Sequence, residues 1–308
     1  MAGGFAHITA AAEALGRLRD VRGFTQDQKR LLRQLQPLVE VGSVAPDYPY
    51  LGGQSEWADL MHYRLTGEVI RNLVRHIRVN LDANDGQHCC AWALGYTAHV
   101  ATDLTIHPVV ERIVGTYAEH KNEHRTCEMH QDAFVWARRG IGDVGLADYF
   151  RVAIGHCSSE EGAMLASLSA MWGDALHKTF PKEFAQNAPE IGSWNRGFRR
   201  IIDAVDDVGS LFSFTRHLLA GGGLAYPAAD ALDKKFLIGV PTPEGAMDYK
   251  LVFERAVSSI LQLWSQVGVA LNAKTEGEVE EILAGIPDGN LDTGRRLSDG
   301  KLIFWEGM

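Results

Sequence analysis

Residues 95–107 read GYTAHVATDLTIH, and the ligand-type side chains in this stretch recur every fourth position. At 3.6 residues per turn, His99, Asp103 and His107 lie along one stripe of an α-helix. Burying two imidazoles and a carboxylate without partners is costly, so the three groups form either a hydrogen-bonded polar network or a metal site. Three such residues in one row, within an otherwise apolar segment, favour the metal site.

Helical periodicity extends outward from this stretch in both directions. The pattern predicts helices over residues 7–19, 25–40, 65–82, 88–107, 108–120, 122–138, 146–154, 159–178, 194–219 and 247–271. Between the second and third of these, residues 42–53 contain two prolines and three glycines and are predicted to be a loop. Strand-like patterns are limited to short pieces near 236–240 and 302–305. The sequence therefore predicts an all-α helical bundle with a few short strands or irregular segments near the C-terminus.

The domain organisation is predicted from composition. Residues 1–220 are expected to form a metal-binding helical domain, and residues 221–308 a C-terminal loop and helix that pack on the same domain. Residues 220–246 are rich in glycine and proline, as in a linker or a loop lying over the bundle. The amphipathic stretch 247–271 is predicted to be a core helix, whereas the final segment either caps the bundle or contacts a neighbouring subunit.

Composition and charge exclude several classes of function. The 308 residues are 46% hydrophobic and carry a formal net charge of -9, so we expect no duplex nucleic acid as a partner. No window is apolar enough for a membrane span, and no secretory signal is recognisable. The four cysteines include the adjacent pair Cys89 and Cys90 and do not form a disulfide framework. These features favour a reduced, cytoplasmic protein, and its oligomeric state stays open.

A second row of ligand-type residues follows the first. His124 and Glu128 are four residues apart, His120 and Asp132 extend the row by one step in each direction, and His130 lies to the side. A solvated helix face has a similar pattern, but two facing helices with histidine and carboxylate make a polynuclear metal site the simpler interpretation.

Three upstream residues have ligand chemistry as well. Asp47 lies between two prolines in APDYPY, His62 lies in WADLMHY, and His7 is near the start of the first predicted helix. In isolation, each of them is typical of an ordinary loop or helix residue.

The order of these pieces resembles the zinc-dependent phospholipase C family and its relatives, the single-strand-specific zinc nucleases. The resemblance covers about residues 5–135 and is strongest in GYTAHVATD. It implies an all-α fold with two or three zinc ions in one cleft and cleavage of phosphodiester bonds. It also implies the metal ligands His7, Asp47, His62, His99, Asp103, His107, His124 and Glu128.

The resemblance further implies how these ligands are shared. One zinc takes Asp47, His62, His99 and Asp103; Asp103 bridges to a second zinc that also takes His7; the third takes His107, His124 and Glu128. Family members are typically secreted, and their terminal tryptophan supplies ligand groups to one zinc. This chain lacks a tryptophan near its start, so the zinc at His7 is the least well supported.

The chemistry that follows is hydrolysis of a phosphate ester by metal-activated water, with Asp47 as the candidate catalytic residue that orients the water or accepts its proton. A small-molecule or lipid phosphate ester is the expected substrate. Tyr48, Tyr50, Leu51 and Trp57 are candidates for an apolar rim, although ordinary packing is the favoured explanation for them. The arginine pairs 138–139 and 199–200 are too few for a single-strand nucleic acid groove.

Two alternatives stay open from the sequence. Di-iron and di-manganese carboxylate bundles also place histidines and acids on helices, although they generally use Glu-x-x-His spacing. A metal cluster that only stabilises a protein-binding module is the non-enzymatic alternative.

Overall fold

The longest helix of the protein, α7 (Asn84–Val114), contains the quoted stretch. The chain is described by a computed structural model over residues 3–80, 84–140, 147–208 and 226–305. Within these ranges it forms fourteen α-helices and two short antiparallel strand pairs, which confirms the predicted all-α class. The remaining helices are α1 (Gly4–Gly16), α2 (Gln26–Gln34), α3 (Gln36–Gly42), α4 (Tyr48–Gly52), α5 (Ser55–Tyr63), α6 (Thr66–Asn80), α8 (Lys121–Trp136), α9 (Ala147–Gly155), α10 (Ala166–Thr179), α11 (Pro181–Gln186), α12 (Ile191–Val208), α13 (Tyr249–Asn272) and α14 (Glu276–Ala284).

Helix α7 lies at the centre of the bundle. Every residue from Cys89 to Val110 is buried, because α1, α3, α6, α10 and α13 pack around it. Surrounded in this way, the segment from Cys89 to Val110 has no solvent face, which explains why its sequence is mostly apolar on all sides apart from the ligand-type row. The indole of Trp264 on α13 donates a hydrogen bond of 2.8 Å to the carbonyl of Leu94 and fixes the two central helices against each other.

The predicted boundary between helices 88–107 and 108–120 is wrong. Pro108 lies inside α7, which continues to Val114. Proline lacks the N–H that would bond to the Leu104 carbonyl, but the packing of neighbouring elements around this part of the helix outweighs the loss of one hydrogen bond.

The predicted loop 42–53 is largely helical, which is a second difference. Residues Ala45–Asp47 form a 3-10 turn and Tyr48–Gly52 form α4. Pro46 and Pro49 each lie in the first turn of these elements, where a missing N–H has no intrahelical partner to lose.

Other predicted helices are present, but their ends differ from the predicted ones. The run 25–40 divides at Leu35 into α2 and α3, and α2 begins at a capping box formed by Thr25 and Gln28. The run 159–178 becomes helical only at Ala166, because Gly162 has a φ of 78° and Ser158 pairs with Met164 in an isolated β-bridge. The part of the run 194–219 that follows residue 208 lies outside the described residues, as do residues 220–225 of the glycine-rich segment.

The strands lie near the predicted pieces without coinciding with them. Strand β1 (Val240–Thr242) pairs with β2 (Gly245–Met247), and β3 (Gly289–Asn290) pairs with β4 (Arg295–Arg296). The piece near 236–240 is mostly a 3-10 turn and a connection. In the piece 302–305, Leu302 bridges to Arg295, and the Trp305 indole donates to the Thr105 carbonyl of α7.

The C-terminal part therefore packs on the first part. Helix α13 contacts α7, α1 and α6 and buries one face, as expected for a core helix. The division at residue 220 stays a prediction. In the described part of the chain, none of the helices combines the length and apolar character that crossing a membrane requires.

Candidate metal centre

Four helices and one turn bring the predicted ligands into the interior of the bundle. All eight residues are buried, with at most 4% of the surface of any of them exposed. Helix α1 supplies His7, the 3-10 turn supplies Asp47, α5 supplies His62, α7 supplies His99, Asp103 and His107, and α8 supplies His124 and Glu128.

One group of three ligand-type residues consists of Asp47, His62 and His99. One ligand atom from each lies within 4.8 Å of the others. His62 Nε2 is 3.4 Å from Asp47 Oδ1 and 3.2 Å from His99 Nε2. These residues are 15 and 37 positions apart in sequence, so the fold alone brings them together.

A second group of three, His7, His99 and Asp103, shares one imidazole with the first. His7 stacks on His99 with ring centroids 4.0 Å apart. Asp103 uses its two oxygens in different directions: Oδ2 is 3.2 Å from His99 Nε2, whereas Oδ1 is 3.2 Å from His7 Nε2 and 3.4 Å from His107 Nε2. This is the arrangement of a carboxylate that can bridge two cations.

The backbone determines which ring nitrogens of His62 and His99 face each other. His62 Nδ1 lies 2.6 Å from the Ala58 carbonyl, and His99 Nδ1 lies 3.0 Å from the Ser43 carbonyl. A carbonyl only accepts hydrogen bonds, so each Nδ1 carries the proton and each neutral ring directs the lone pair of Nε2 inward. Two lone pairs 3.2 Å apart repel, and a proton or a metal ion between them removes this repulsion.

Buried polar atoms at the site support the metal interpretation. Within the described residues, both oxygens of Asp47, both ring nitrogens of His7 and His107 Nε2 are buried and make no well-oriented hydrogen bond. Groups of this kind are satisfied in nearly all buried positions of folded proteins. Imidazole nitrogens and carboxylate oxygens are also donors that zinc binds in proteins, so the residues fit such an ion.

Burial and charge set the protonation states. Burial opposes ionisation of Asp103, yet the neighbouring imidazoles of His107, His99 and His7 hold its pKa well below the usual range. The pKa of Asp47 is lowered as well, because contacts with His62 and His99 outweigh burial. Burial lowers the pKa of His7 and brings that of His107 to about 4. Ionised carboxylates and neutral imidazoles are the forms that coordinate metals.

His99 is different from the other imidazoles. Although burial lowers its pKa, the carboxylate of Asp103 outweighs this effect and raises the pKa above its ordinary value. A proton on His99 Nε2 therefore satisfies the facing nitrogens in the absence of a cation, and a metal ion at this point would displace it.

The ligands predicted for the third zinc, His107, His124 and Glu128, lie farther apart than those of the two groups. Among the described residues, the groups of three ligand atoms within 4.8 Å are the two above, and neither includes His107, His124 or Glu128. His124 Nδ1 lies 4.0 Å from Glu128 Oε1, and His124 Nε2 donates to the Gly115 carbonyl at 2.6 Å. A zinc held by these three residues stays a prediction.

The other members of the second row have separate contacts. His120 is next to Gly115, where a side-chain carbon would meet its ring, and His130 Nδ1 accepts a hydrogen bond from the Asp233 N–H. Asp132 is fully buried and accepts hydrogen bonds from the N–H groups of Phe5 at 3.3 Å and Ala6 at 2.8 Å. It thus holds the first turn of α1, the helix that carries His7.

Sequence reasoning missed one acidic residue at the site. Asp292 follows β3, and its Oδ1 lies 3.8 Å from His107 Nδ1, while its Oδ2 accepts a hydrogen bond of 2.9 Å from the Tyr63 hydroxyl. The sequence around it, PDGNLDTG, shows only the signature of a turn, because the contact joins residues far apart in the chain.

The candidate apolar rim lies mostly in the core. Tyr48 and Trp57 are fully buried, and the Tyr48 ring stacks on Phe198 with centroids 4.4 Å apart. Tyr50 is buried as well, and its hydroxyl donates to Asp59. Ordinary packing therefore explains Tyr48 and Trp57.

Comparison with known proteins identifies one family. The sequence model of the family described as zinc dependent phospholipase C matches residues 6–204. Searches of curated proteins and of solved structures find no match. The matched range contains all eight predicted ligands and ends before α13, the two strand pairs and Asp292.

Proposed function

The chain belongs to the zinc-dependent phospholipase C family, and from this premise we propose that it is a zinc-dependent hydrolase that cleaves a phosphodiester or phospholipid-like phosphate ester. The observation that carries the proposal is the shared group of buried imidazoles and carboxylates around Asp103, whose two oxygens contact three imidazoles. We expect two or three zinc ions per chain.

Residues of the two groups would hold two of the zinc ions. Asp47, His62, His99 and Asp103 are proposed for one ion, and His7 with Asp103 for a second. His107, His124 and Glu128 are proposed for a third. When bound, zinc supplies positive charge to the phosphate and lowers the pKa of a coordinated water.

The chain's own residues then have distinct tasks. The carbonyls of Ala58 and Ser43 hold the rings of His62 and His99 in one tautomer and orientation. Asp47, whose pKa is lowered, is ionised at neutral pH and is proposed to orient the attacking water or to accept its proton. A phosphate ester, either a small molecule or a lipid, is the proposed substrate.

The composition of the site favours zinc over a di-iron or di-manganese centre. Both groups of three are built from histidine and aspartate, whereas carboxylate-bridged di-iron bundles rely on glutamates and a Glu-x-x-His spacing. Zinc has no redox chemistry, so a colourless protein with zinc as its main metal separates the two classes.

Elemental analysis and a hydrolysis assay test the proposal together. The purified chain is expected to contain about two or three zinc ions and to hydrolyse a chromogenic phosphodiester in a reaction that a chelator abolishes and zinc restores. Absence of bound zinc would contradict the metal site. Bound zinc without hydrolysis of any phosphate ester would instead support the non-enzymatic alternative.

A further inference from the structure

The C-terminal hairpin, residues 289–296, is attached to two elements of the metal centre. The Leu291 N–H donates to the His62 carbonyl of α5 at 2.9 Å. On the other side, a side-chain carbon at Gly294 would lie 2.6 Å from the Leu104 carbonyl oxygen of α7, which shows how closely the hairpin backbone approaches that helix. The hairpin is therefore fixed between His62 and the turn of α7 that contains Asp103 and His107.

Asp292 occupies the turn of this hairpin and faces His107. Its N–H donates to the Asn290 side chain at 3.0 Å, and its Oδ2 accepts the Tyr63 hydroxyl. The other oxygen, Oδ1, lies 3.8 Å from His107 Nδ1, and four-fifths of the carboxylate side chain is buried. The position of Asp292 is thus set by contacts that do not involve His107.

Three other imidazoles of the centre show what His107 lacks. In His62, His99 and His124, one ring nitrogen lies within 3.0 Å of a backbone carbonyl, so a fixed acceptor determines the tautomer. For His107, the described residues provide no such carbonyl, and the acceptor that faces Nδ1 is the carboxylate of Asp292. The opposite nitrogen, Nε2, points toward Asp103.

We propose that Asp292 is a positioning residue of the metal centre, whose carboxylate, 3.8 Å from His107 Nδ1, attracts the Nδ1–H electrostatically and thereby keeps His107 Nε2 directed toward Asp103 for metal binding. A carboxylate that holds the outer nitrogen of a ligating histidine makes the ring a better ligand and fixes its orientation. The inference rests on the proposed function, because it requires His107 to bind zinc. It also extends the centre beyond residues 6–204, the range that the family comparison covers.

Zinc retention in full-length variants tests this role. The variant Asp292→Asn keeps the side-chain shape and an oxygen that accepts the Tyr63 hydroxyl, but it removes the negative charge. Asp292→Ala removes the charge and the Tyr63 contact. Asp299→Asn is the matched control, since Asp299 lies in the same C-terminal segment and pairs with Arg296 at the surface. The measurement is the number of zinc ions retained per chain as the concentration of a competing chelator increases, with the melting temperature of each zinc-free protein as the second readout.

We expect one zinc ion to bind about 10- to 100-fold more weakly in both Asp292 variants, with the other ions and the control unchanged. The zinc-free forms of wild type and Asp292→Asn are expected to melt at the same temperature, which a merely structural role would not produce. Unchanged zinc retention in both Asp292 variants would overturn the inference, as would an equal loss of stability with and without zinc. A wild-type protein that binds no zinc would instead reject the proposed function itself.

Discussion

Asp103 is the residue on which the largest number of site contacts converge. Its carboxylate reaches His7, His99 and His107, and an amide at the same position keeps the shape but loses the charge that balances two cations. We expect Asp103→Asn to lose zinc and to reduce phosphodiester hydrolysis on the order of 10²-fold or more. Zinc content and turnover are the two measurements.

Asp85→Asn is a suitable control for this substitution, because Asp85 is exposed in the first turn of the same helix. It is expected to retain wild-type zinc and activity. If Asp103→Asn also retained both, the assignment of Asp103 as a shared ligand would be wrong.

Asp132, which is not one of the proposed ligands, is expected to make the stability of the protein depend on pH. Burial raises its pKa from 3.8 to about 7, although the N–H groups of Ala6 and Phe5 and the Tyr226 hydroxyl oppose the shift. Between these pH values the folded chain keeps a proton that the unfolded chain has lost. The free energy of unfolding is therefore expected to fall as the pH rises through this window, by about 4 kcal/mol in total.

The measurement compares denaturant unfolding of wild type and Asp132→Asn from pH 4 to pH 8, with a chelator present so that metal release does not contribute. Because asparagine does not titrate, the stability of wild type relative to the variant should decrease steadily toward neutral pH. Parallel pH profiles would show that the carboxyl of Asp132 ionises normally in the folded protein.

At the scale of elements, the crossing of α3 and α7 positions His99. A side-chain carbon at Gly95 would lie 2.1 Å from the Val39 carbonyl oxygen and 2.8 Å from Gly42, so the two helix backbones are in direct contact. The carbonyl of Ser43, which follows α3, accepts the Nδ1–H of His99. We expect Gly95→Ala to destabilise the protein by about 1–3 kcal/mol and to weaken zinc retention, because the helices must separate.

Gly173→Ala is the matched helical control. Gly173 lies inside α10, and an added carbon would meet only Ile191 at an ordinary 3.7 Å. Alanine in a helix interior is favoured over glycine, so this variant should be neutral or more stable by up to about 1 kcal/mol. Denaturant unfolding of both variants, together with zinc analysis, checks the pair. Equal effects would mean that the close helix approach does not determine stability.

The sequence could predict elements whose pattern is local. Residues 99, 103 and 107 fall on one face of α7 because spacing alone determines this in a helix. The boundary at Pro108 could not be predicted, because the continuation of α7 depends on helices and the C-terminal segment packed around it. The two prolines and three glycines of residues 42–53 predict a loop, but proline is compatible with the first turn of a helix, and the structure places Pro46 and Pro49 there.

In the candidate site, too, local features could be predicted and contacts between distant residues could not. The ligand types and their spacing within each helix can be read from the sequence, whereas only the fold brings ligand atoms of Asp47, His62 and His99 within 4.8 Å of one another. Their binding of zinc stays a prediction. The contact of Asp292 with His107 joins residues 185 positions apart and depends on the hairpin geometry, which the turn sequence does not encode locally. Asp132 extends the second row of ligand-type residues in the sequence, and in the structure it accepts hydrogen bonds from the N–H groups of Phe5 and Ala6 in α1.

At the scale of the whole molecule, apolar packing already holds together the helices that carry the proposed metal ligands. The central helix α7 is buried from Cys89 to Val110, and α13 packs on it independently of any ligand-type residue. The chain is long enough to bury a large core without metal. Zinc is therefore expected to stabilise a fold that forms without it, in contrast to small zinc domains that unfold on chelation.

Chelation followed by thermal unfolding tests this expectation. Free zinc at about 1,000 times its dissociation constant contributes about 4 kcal/mol, so readdition should raise the melting temperature by several degrees. Helical circular dichroism should persist in the zinc-free protein at 25 °C. Calcium is the control cation, because it prefers oxygen ligands and the centre is rich in imidazole, so it should not restore the melting temperature. Loss of helical structure on chelation would show that the core depends on the metal, and an unchanged melting temperature would show that zinc does not bind the folded chain.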